Sequence, residues 1–243
     1  MNIQNKIVDW IKDYAQNNKR KTLVVGISGG IDSSVVSTLC AMTKLPTIAV
    51  SMPIAQLSEQ HDLSMEHGSW LENKFINVTH EVIDLDKTYD RFWLTMMNDY
   101  DDEHAFANTK SRLRMVTLHQ ISGAKRGIVV GTGNKVEDFG VGFYTKYGDG
   151  GVDISPIADL YKTEVWQLGK ELGILEEIIN AEPTDGLWED GRTDKDQLGG
   201  LTYEQMEDAM KNPKSIYATE YSKIRSNNLH KMEPIPVFKV ERN

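Results

Sequence analysis

The stretch Ser28-Gly29-Gly30-Ile31-Asp32-Ser33-Ser34 holds the residue types needed to grip a chain of phosphates. It follows the β-branched run Leu23–Ile27 and precedes the apolar run Val35–Met42, so a strand feeds a glycine pair and the pair feeds a helix. The first N–H groups of a helix have no partner inside it, and the helix dipole adds positive potential at the same point, which makes such a turn an anion site. Gly29 and Gly30 let the backbone approach a ligand closely, and Ser28, Ser33 and Ser34 have hydroxyls to donate to phosphate oxygens. No lysine stands in the turn, which excludes the Gly-Lys-Ser/Thr phosphate loop, and the glycine spacing is not that of the dinucleotide fingerprint. Asp32 beside a phosphate is repulsive unless a divalent cation neutralises both, which implies Mg2+. A capped strand-to-helix turn explains many Gly-Gly pairs; the serines and the aspartate together favour the phosphate site.

A second strand end, Gly131-Thr132-Gly133-Asn134-Lys135-Val136-Glu137-Asp138, repeats the logic of strand, glycine turn and carboxylate just inside a helix. That carboxylate is placed to share a metal with Asp32; the competing account is a helix start with an acidic first turn. Next comes Phe143-Tyr144-Thr145-Lys146-Tyr147-Gly148-Asp149-Gly150-Gly151-Val152-Asp153. Its aromatic faces suit a pyridine or purine ring and Lys146 suits an anion, against the alternative of an ordinary surface loop.

These strings carry a resemblance. GISGGIDSS resembles the pyrophosphate-binding loop of the ATP pyrophosphatases, which split ATP between the α and β phosphates and adenylate a substrate. That group includes NAD synthetase, GMP synthetase, asparagine synthetase, argininosuccinate synthetase and tRNA-modifying enzymes, so the loop implies the half-reaction without choosing the substrate. FYTKYGDGGVD, with Asn108–Met115 before it and Leu160–Val165, Pro183–Trp188 and His230-Lys231 after it, resembles the NAD synthetase family, and the likeness reaches Pro236-Val237-Phe238. It implies that Gly26, Ile27, Ser28, Gly29, Gly30, Ile31, Asp32 and Ser33 hold the ATP phosphates, and that Thr132, Lys162 and Thr184 also contact ATP. Asp32 and Glu137 would hold Mg2+, with Asp32 and Lys162 the catalytic pair. Arg112, Lys146, Asp153, His230 and Lys231 would contact deamido-NAD. The implied reaction is amidation of deamido-NAD by ammonia through an acyl-adenylate, giving NAD, AMP and pyrophosphate, in a homodimer.

The chain departs from the pattern twice. Glu137 stands nine residues before Lys146, one more than in some relatives, which leaves Asp138 as an alternative metal ligand. Ser51 stands where many relatives have an arginine near ATP. Two other readings stay open: another ATP pyrophosphatase, such as a GMP-synthetase-like amidating enzyme, and a nucleotide-binding module without turnover.

The elements that must position these residues follow from periodicity. Leu23–Ile27, Thr47–Met52, Val78–Leu85 and Gly127–Gly131 read as strands. Ile31–Met42, Ser58–Lys74, Lys87–Asn98 and Glu103–Ser122 read as helices between them, the last stopping at Gly123. Ile3, Ile7, Trp10, Ile11 and Tyr14 mark one face of an N-terminal helix. After Asp153 the pattern is helical: Thr163–Leu172, Glu176–Asn180, Tyr203–Met210 and Ser215–Asn227, interrupted by a loop over Pro183–Gly200. The expected fold is α/β, a Rossmann-like parallel sheet with helices on both faces and a helical C-terminal third, in one domain over residues 1–243. The resemblance adds that it is adenine nucleotide alpha hydrolase-like.

Composition narrows the classes. The 243 residues are 40% hydrophobic and 26% charged, as in a globular protein. A net charge of -9 argues against a nucleic-acid binder. No apolar run approaches a membrane span and the N-terminus lacks a secretion signal, so no membrane partner and a cytoplasmic location are expected. Cys40 is the only cysteine, which excludes an intrachain disulfide, a multi-cysteine metal site and, on its apolar helix, a glutaminase nucleophile; ammonia would come from solution or from a partner. His61, His67, His80, His104 and His119 show no metal-ligand spacing and read as surface or core residues. Asp185, Glu189, Asp190, Asp194 and Asp196 crowd the Pro183–Gly200 loop, which reads as a solvated loop slightly ahead of a lid.

Overall fold

Four short runs of β-branched residues form a parallel sheet: β1 (Thr22–Gly26), β2 (Thr47–Ser51), β3 (Val78–Val82) and β4 (Gly127–Val129), in the order β3-β2-β1-β4. This computed structural model describes residues 2–55, 58–188 and 190–240. The helices in chain order are α1 (Ile3–Asn17), α2 (Ile31–Met42), α3 (Ser58–Lys74), α4 (Asp86–Met96), α5 (Glu103–Lys125), a π-helix (Val136–Val141), α6 (Lys162–Leu172), α7 (Glu176–Asn180), α8 (Asp194–Gln197), α9 (Tyr203–Lys211) and α10 (Ala218–Met232).

Successive strand residues point to opposite faces, and both faces are apolar because helices cover both. Leu23, Val25, Ala49 and Ile128 pack under α1, α2, α3 and α6, through Ile11, Leu39, Leu71 and Leu168 among others. Val24, Ile48 and Val50 pack under α4 and α5, through Tyr89, Leu113, Leu118 and Ile121. Burying one such valine or leucine contributes roughly 1.5–3 kcal/mol, so these short strands are held chiefly by their two covers. A third cluster, Val136, Val141, Leu198, Leu201, Tyr203 and Met206, joins the π-helix to α9.

The chain leaves β1 towards β2 on one side and later returns to β4 on the other. A crevice opens at the carboxyl ends of β1 and β4, the place where such sheets take ligands. Both glycine turns fall there.

Several boundaries differ from the periodicity. β3 ends at Val82 and β4 at Val129, after which Val130 donates to Val24 O at 2.9 Å and forms an isolated parallel bridge to Ile154. Helix α5 runs through Gly123 to Lys125 and closes on Arg126 in the left-handed region, φ 53°. The buried stripe of α1 is Ile7, Ile11 and Ala15; Ile3, Trp10 and Tyr14 are exposed. Helix α10 begins at Ala218, because Ser215 and Asn212 spend their side chains on the turn before it. Helix α8 lies within the expected Pro183–Gly200 loop, and the helix start expected around Glu137 is a π-helix.

Candidate active site

The turn after β1 is wound tightly on itself. Gly29 sits at φ +88°, a conformation that favours glycine. Ser28 Oγ accepts from Gly30 N at 3.2 Å and lies 3.1 Å from Ser33 Oγ. Ser33 and Ser34 both donate to Gly30 O, at 3.0 and 2.9 Å. Ser34 is fully buried, so its hydroxyl braces the helix start. Gly26 through Ser33 line a cavity of about 380 Å3 in the crevice.

Asp32, in the first turn of α2, and Lys162, the first residue of α6, meet across this cavity. Lys162 Nζ lies 2.5 Å from Asp32 Oδ2 and 3.0 Å from Glu137 Oε1, with its side chain 4% exposed. Burial alone would favour losing the proton, but Asp32 and Glu137 outweigh it and hold the ammonium above the ordinary lysine range. Asn134, buried at the end of the second glycine turn, donates to Asp32 Oδ1 at 3.1 Å and accepts from the N–H groups of Val136 and Glu137. One amide thus ties Asp32 to the start of the π-helix.

Tyr203 completes the group. Its hydroxyl lies 2.6 Å from Glu137 Oε1 and 2.7 Å from Asp194 Oδ2, while its ring passes 4.6 Å beneath Lys162 Nζ and meets Trp166 edge-on. Burial, then the charge of Glu137, pushes Asp194 up to about 7. Burial, then Glu137, Asp149 and Asp32, pushes Asp138 up to about 8. Of the two adjacent acids, Glu137 faces Lys162, and Asp138 folds over Gly133 at the cavity wall.

The donor set suits a hard divalent cation. Two carboxylates share one ammonium, which leaves net negative charge at the crevice, and all their donors are oxygen. Among the described residues no group of three or more His, Cys, Asp or Glu gathers as a metal cage. This matches a cation taken by two carboxylates plus substrate phosphates.

The resemblance-derived substrate contacts gather on a rim. Arg112 Nε donates to Lys146 O at 3.3 Å, and Lys146 Nζ donates to His230 O at 3.1 Å. Lys231 Nζ and Tyr144 OH each donate to the other residue's carbonyl, at 2.8 and 2.6 Å. Lys231 lines the cavity, whereas Arg112, Lys146 and His230 stand outside its lining. Asp153 stands apart: it is exposed, and its Oδ2 accepts from Val129 N at 2.7 Å, extending the edge of β4. Thr132 and Thr184 both line the cavity.

A family model for NAD synthase matches residues 3–242. The chain belongs to the NAD synthase family. It is 38% identical over 213 residues to the NH(3)-dependent NAD(+) synthetase of Methanosarcina mazei, covering 86% of this chain and 81% of that one. The NMN synthetase of Francisella tularensis superposes with a TM-score of 0.89 at 30% identity, over 98% of each chain. The NH3-dependent NAD synthetase of Campylobacter jejuni superposes at 0.77 with 25% identity, again over 98% of each chain. These relatives fit the NAD synthase reading, not the other amidating readings left open by the phosphate turn.

At the end of the π-helix Gly142 N closes onto Glu137 O over a wider ring than an α-turn allows. Ser51 does not reach the cavity lining; its hydroxyl meets His80 Nε2 at 2.9 Å and Ser64 Oγ at 3.0 Å. Arg114, from α5, lines the cavity beside that strand end and donates to Met52 O at 3.0 Å. His104 lines the cavity too, stacked 6.0 Å from Trp188.

The Pro183–Gly200 loop is anchored at a few points and solvated between them: Asp194 is 5% and Leu198 2% exposed and Trp188 donates to Gln197 Oε1 at 2.9 Å, while Asp190 and Asp196 are exposed. Glu189, grouped with its acids, lies outside the described residues. Sequence reasoning passed over Asn134, Tyr203, Asp194, Arg114 and His104 as functional residues. The signal for Asn134 was its place between a glycine turn and the acidic helix start. No spacing rule marks the other four.

Proposed function

We propose that this chain is an ammonia-dependent NAD synthetase, a ligase that amidates deamido-NAD at the expense of ATP. What carries the reading is that the phosphate turn, the Asp32–Lys162–Glu137 group and the aromatic loop around Tyr144–Val152 line one cavity. The family and the M. mazei relative support it.

In this reading the N–H groups and serines of Gly26–Ser33 hold the ATP phosphates, with Thr132 and Thr184 on the nucleotide. Mg2+ would be held by Asp32 and Glu137, where it would screen the phosphate charge. The nicotinate carboxylate of deamido-NAD attacks the α-phosphorus, forming a mixed anhydride with AMP as the bond to the β-phosphate oxygen breaks. Pyrophosphate leaves into the turn, and Lys162 meets the charge that builds on the transferring group. Ammonia then adds to the activated carbonyl, loses a proton, and AMP departs. Arg112, Lys146, Asp153, His230 and Lys231 are assigned to deamido-NAD. The clustering of all but Asp153 on one rim supports this. The protein's work here is orientation and electrostatics.

Cys40 supports ammonia as the direct nitrogen source, since it is buried and its thiol is pushed up by that burial, far from the state of a glutaminase nucleophile. A homodimer belongs to the same reading. Helix α4 buries no residue fully in one chain and shows Phe92, Trp93 and Leu94 to solvent, a face that a second copy would cover.

One observation favours a second reading: the superposition on the NMN synthetase is closer, 0.89 against 0.77. Nicotinate mononucleotide carries the same carboxylate as deamido-NAD, so the two differ in what the rim must hold. The test supplies ATP, Mg2+ and ammonium with each nucleotide in turn, and follows AMP, pyrophosphate and amide. Equal amounts of AMP, pyrophosphate and NAD from deamido-NAD are expected. A higher kcat/KM with the mononucleotide would move the assignment to the second reading, and no amide from either would end both.

A further inference from the structure

The Tyr203 hydroxyl stands between Glu137 Oε1 and Asp194 Oδ2 at 2.6 and 2.7 Å. The phenolic O–H donates to these two carboxylates, which share its one proton, and Glu137 Oε1 accepts from Lys162 as well. The ring has little freedom to turn. Tyr203 is 5% exposed, lies edge-on to Trp166 at 5.9 Å and carries Lys162 over its face. Asp194 in turn is the first residue of α8, and its N–H donates to Pro183 O at 3.0 Å, so it fastens the Pro183–Gly200 segment from within. Its other oxygen, Oδ1, is buried at the cavity lining with no partner among the described residues, ready for a donor that arrives with ligand.

We propose that Tyr203 is a positioning residue for Glu137, and that through it Asp194 couples the docking of the Pro183–Gly200 segment to the carboxylate that takes the cation. The inference rests on the assignment of Asp32 and Glu137 to a divalent cation made above. Partners behind a metal-binding carboxylate fix its orientation, and their loss weakens the metal without touching it.

The test measures Mn2+ affinity by electron paramagnetic resonance, with α,β-methylene ATP present and no turnover, alongside kcat and KM for ATP with Mg2+. Tyr203→Phe should weaken Mn2+ by about tenfold and lower kcat, with KM for ATP changed by less than about threefold. Asp194→Ala should follow it. Asp194→Asn should keep Mn2+ affinity within about threefold of the unmodified protein, because its side-chain carbonyl oxygen still accepts from the phenolic hydroxyl. Tyr203→Phe within about twofold of the unmodified protein overturns the positioning role. Asp194→Ala without effect, or Asp194→Asn as weak as Asp194→Ala, overturns the coupling through the hydrogen bond. If Tyr203→Phe does not fold, the Asp194 pair decides alone. Absence of Mn2+ binding by the unmodified protein removes the cation assignment itself and this inference with it, whereas normal binding by protein and variants alike removes only this inference.

Discussion

Lys162 has no room for a neutral substitute. Its ammonium is the shared counter-charge of Asp32 and Glu137, inside a pocket where water is scarce. Removing one partner of a buried ion pair leaves the rest uncompensated, at a cost of about 3–5 kcal/mol. Lys162→Met is therefore expected to lower unfolding free energy in urea by about 3 kcal/mol at neutral pH, and turnover by more than about a hundredfold. Native stability combined with lost turnover would instead mark the lysine as purely catalytic. At this scale the meeting of Asp32, Glu137 and Lys162 was legible, because each sits in a string whose residue types make chemical sense together. Which of Glu137 and Asp138 would face Lys162 was not, since it depends on helix phase. Nor was Tyr203, which in sequence is only the first apolar residue of an amphipathic helix; its hydroxyl gains meaning from chain segments that arrive from elsewhere.

Helices α2 and α6 bring the aspartate and the lysine together by packing at a glycine. A Cβ on Gly169 would lie 2.6 Å from Ile31 Cδ1, closer than side chains approach. Ile31 precedes Asp32 directly, and Gly169 lies two turns beyond Lys162 on the same helix, so separating the helices separates the ion pair. Gly169→Val should cost roughly 1–3 kcal/mol by overpacking and reduce kcat more than it raises KM for ATP. A stable variant with full kcat would show that the two helices can shift without moving the pair. The strands and most helices were readable because their apolar periods agree with their covers. Boundaries failed where local side-chain bonding overrides period, as at Ser215 before α10, or where a glycine such as Gly123 sits harmlessly inside a helix. A helix start at Glu137 was readable, but its π winding was out of reach, since Val-Glu-Asp-Phe-Gly-Val has no period of its own.

At the scale of the whole molecule, one share of the response to acid comes from a histidine remote from Asp32, Lys162 and Glu137. His67 on α3 is fully buried, meets Ser37 Oγ on α2 at 2.9 Å, stacks on Trp70, and has Nδ1 without a partner. Burial, aided by the charge of His80, lowers its pKa to about 4. Between about 6.5 and 4 the unfolded chain binds a proton that the native chain refuses, so stability held above pH 6.5 is lost as pH falls towards 4. The loss is at most about 3 kcal/mol. Urea unfolding at pH 7 and pH 5 should show this share as the difference between the protein and His67→Gln, which can still bond Ser37, since the raised carboxyls of Asp138 and Asp194 gain stability over the same range in both; an equal slope in the two would overturn the role of His67. His80, lowered by its own burial and countered by Glu72, leaves a smaller residual slope.

The order in which the cation group's members occur along the chain has a consequence for synthesis. Asp32 and Glu137 leave the ribosome before Lys162, and Tyr203 emerges last. A nascent chain halted after the π-helix owns two acids aimed at one spot and nothing to neutralise them. Arrival of α6 therefore does double duty, closing the first core with Val165 and Leu168 while supplying the missing positive charge. Maturation of the nucleotide crevice is in this way deferred until the C-terminal third has been made.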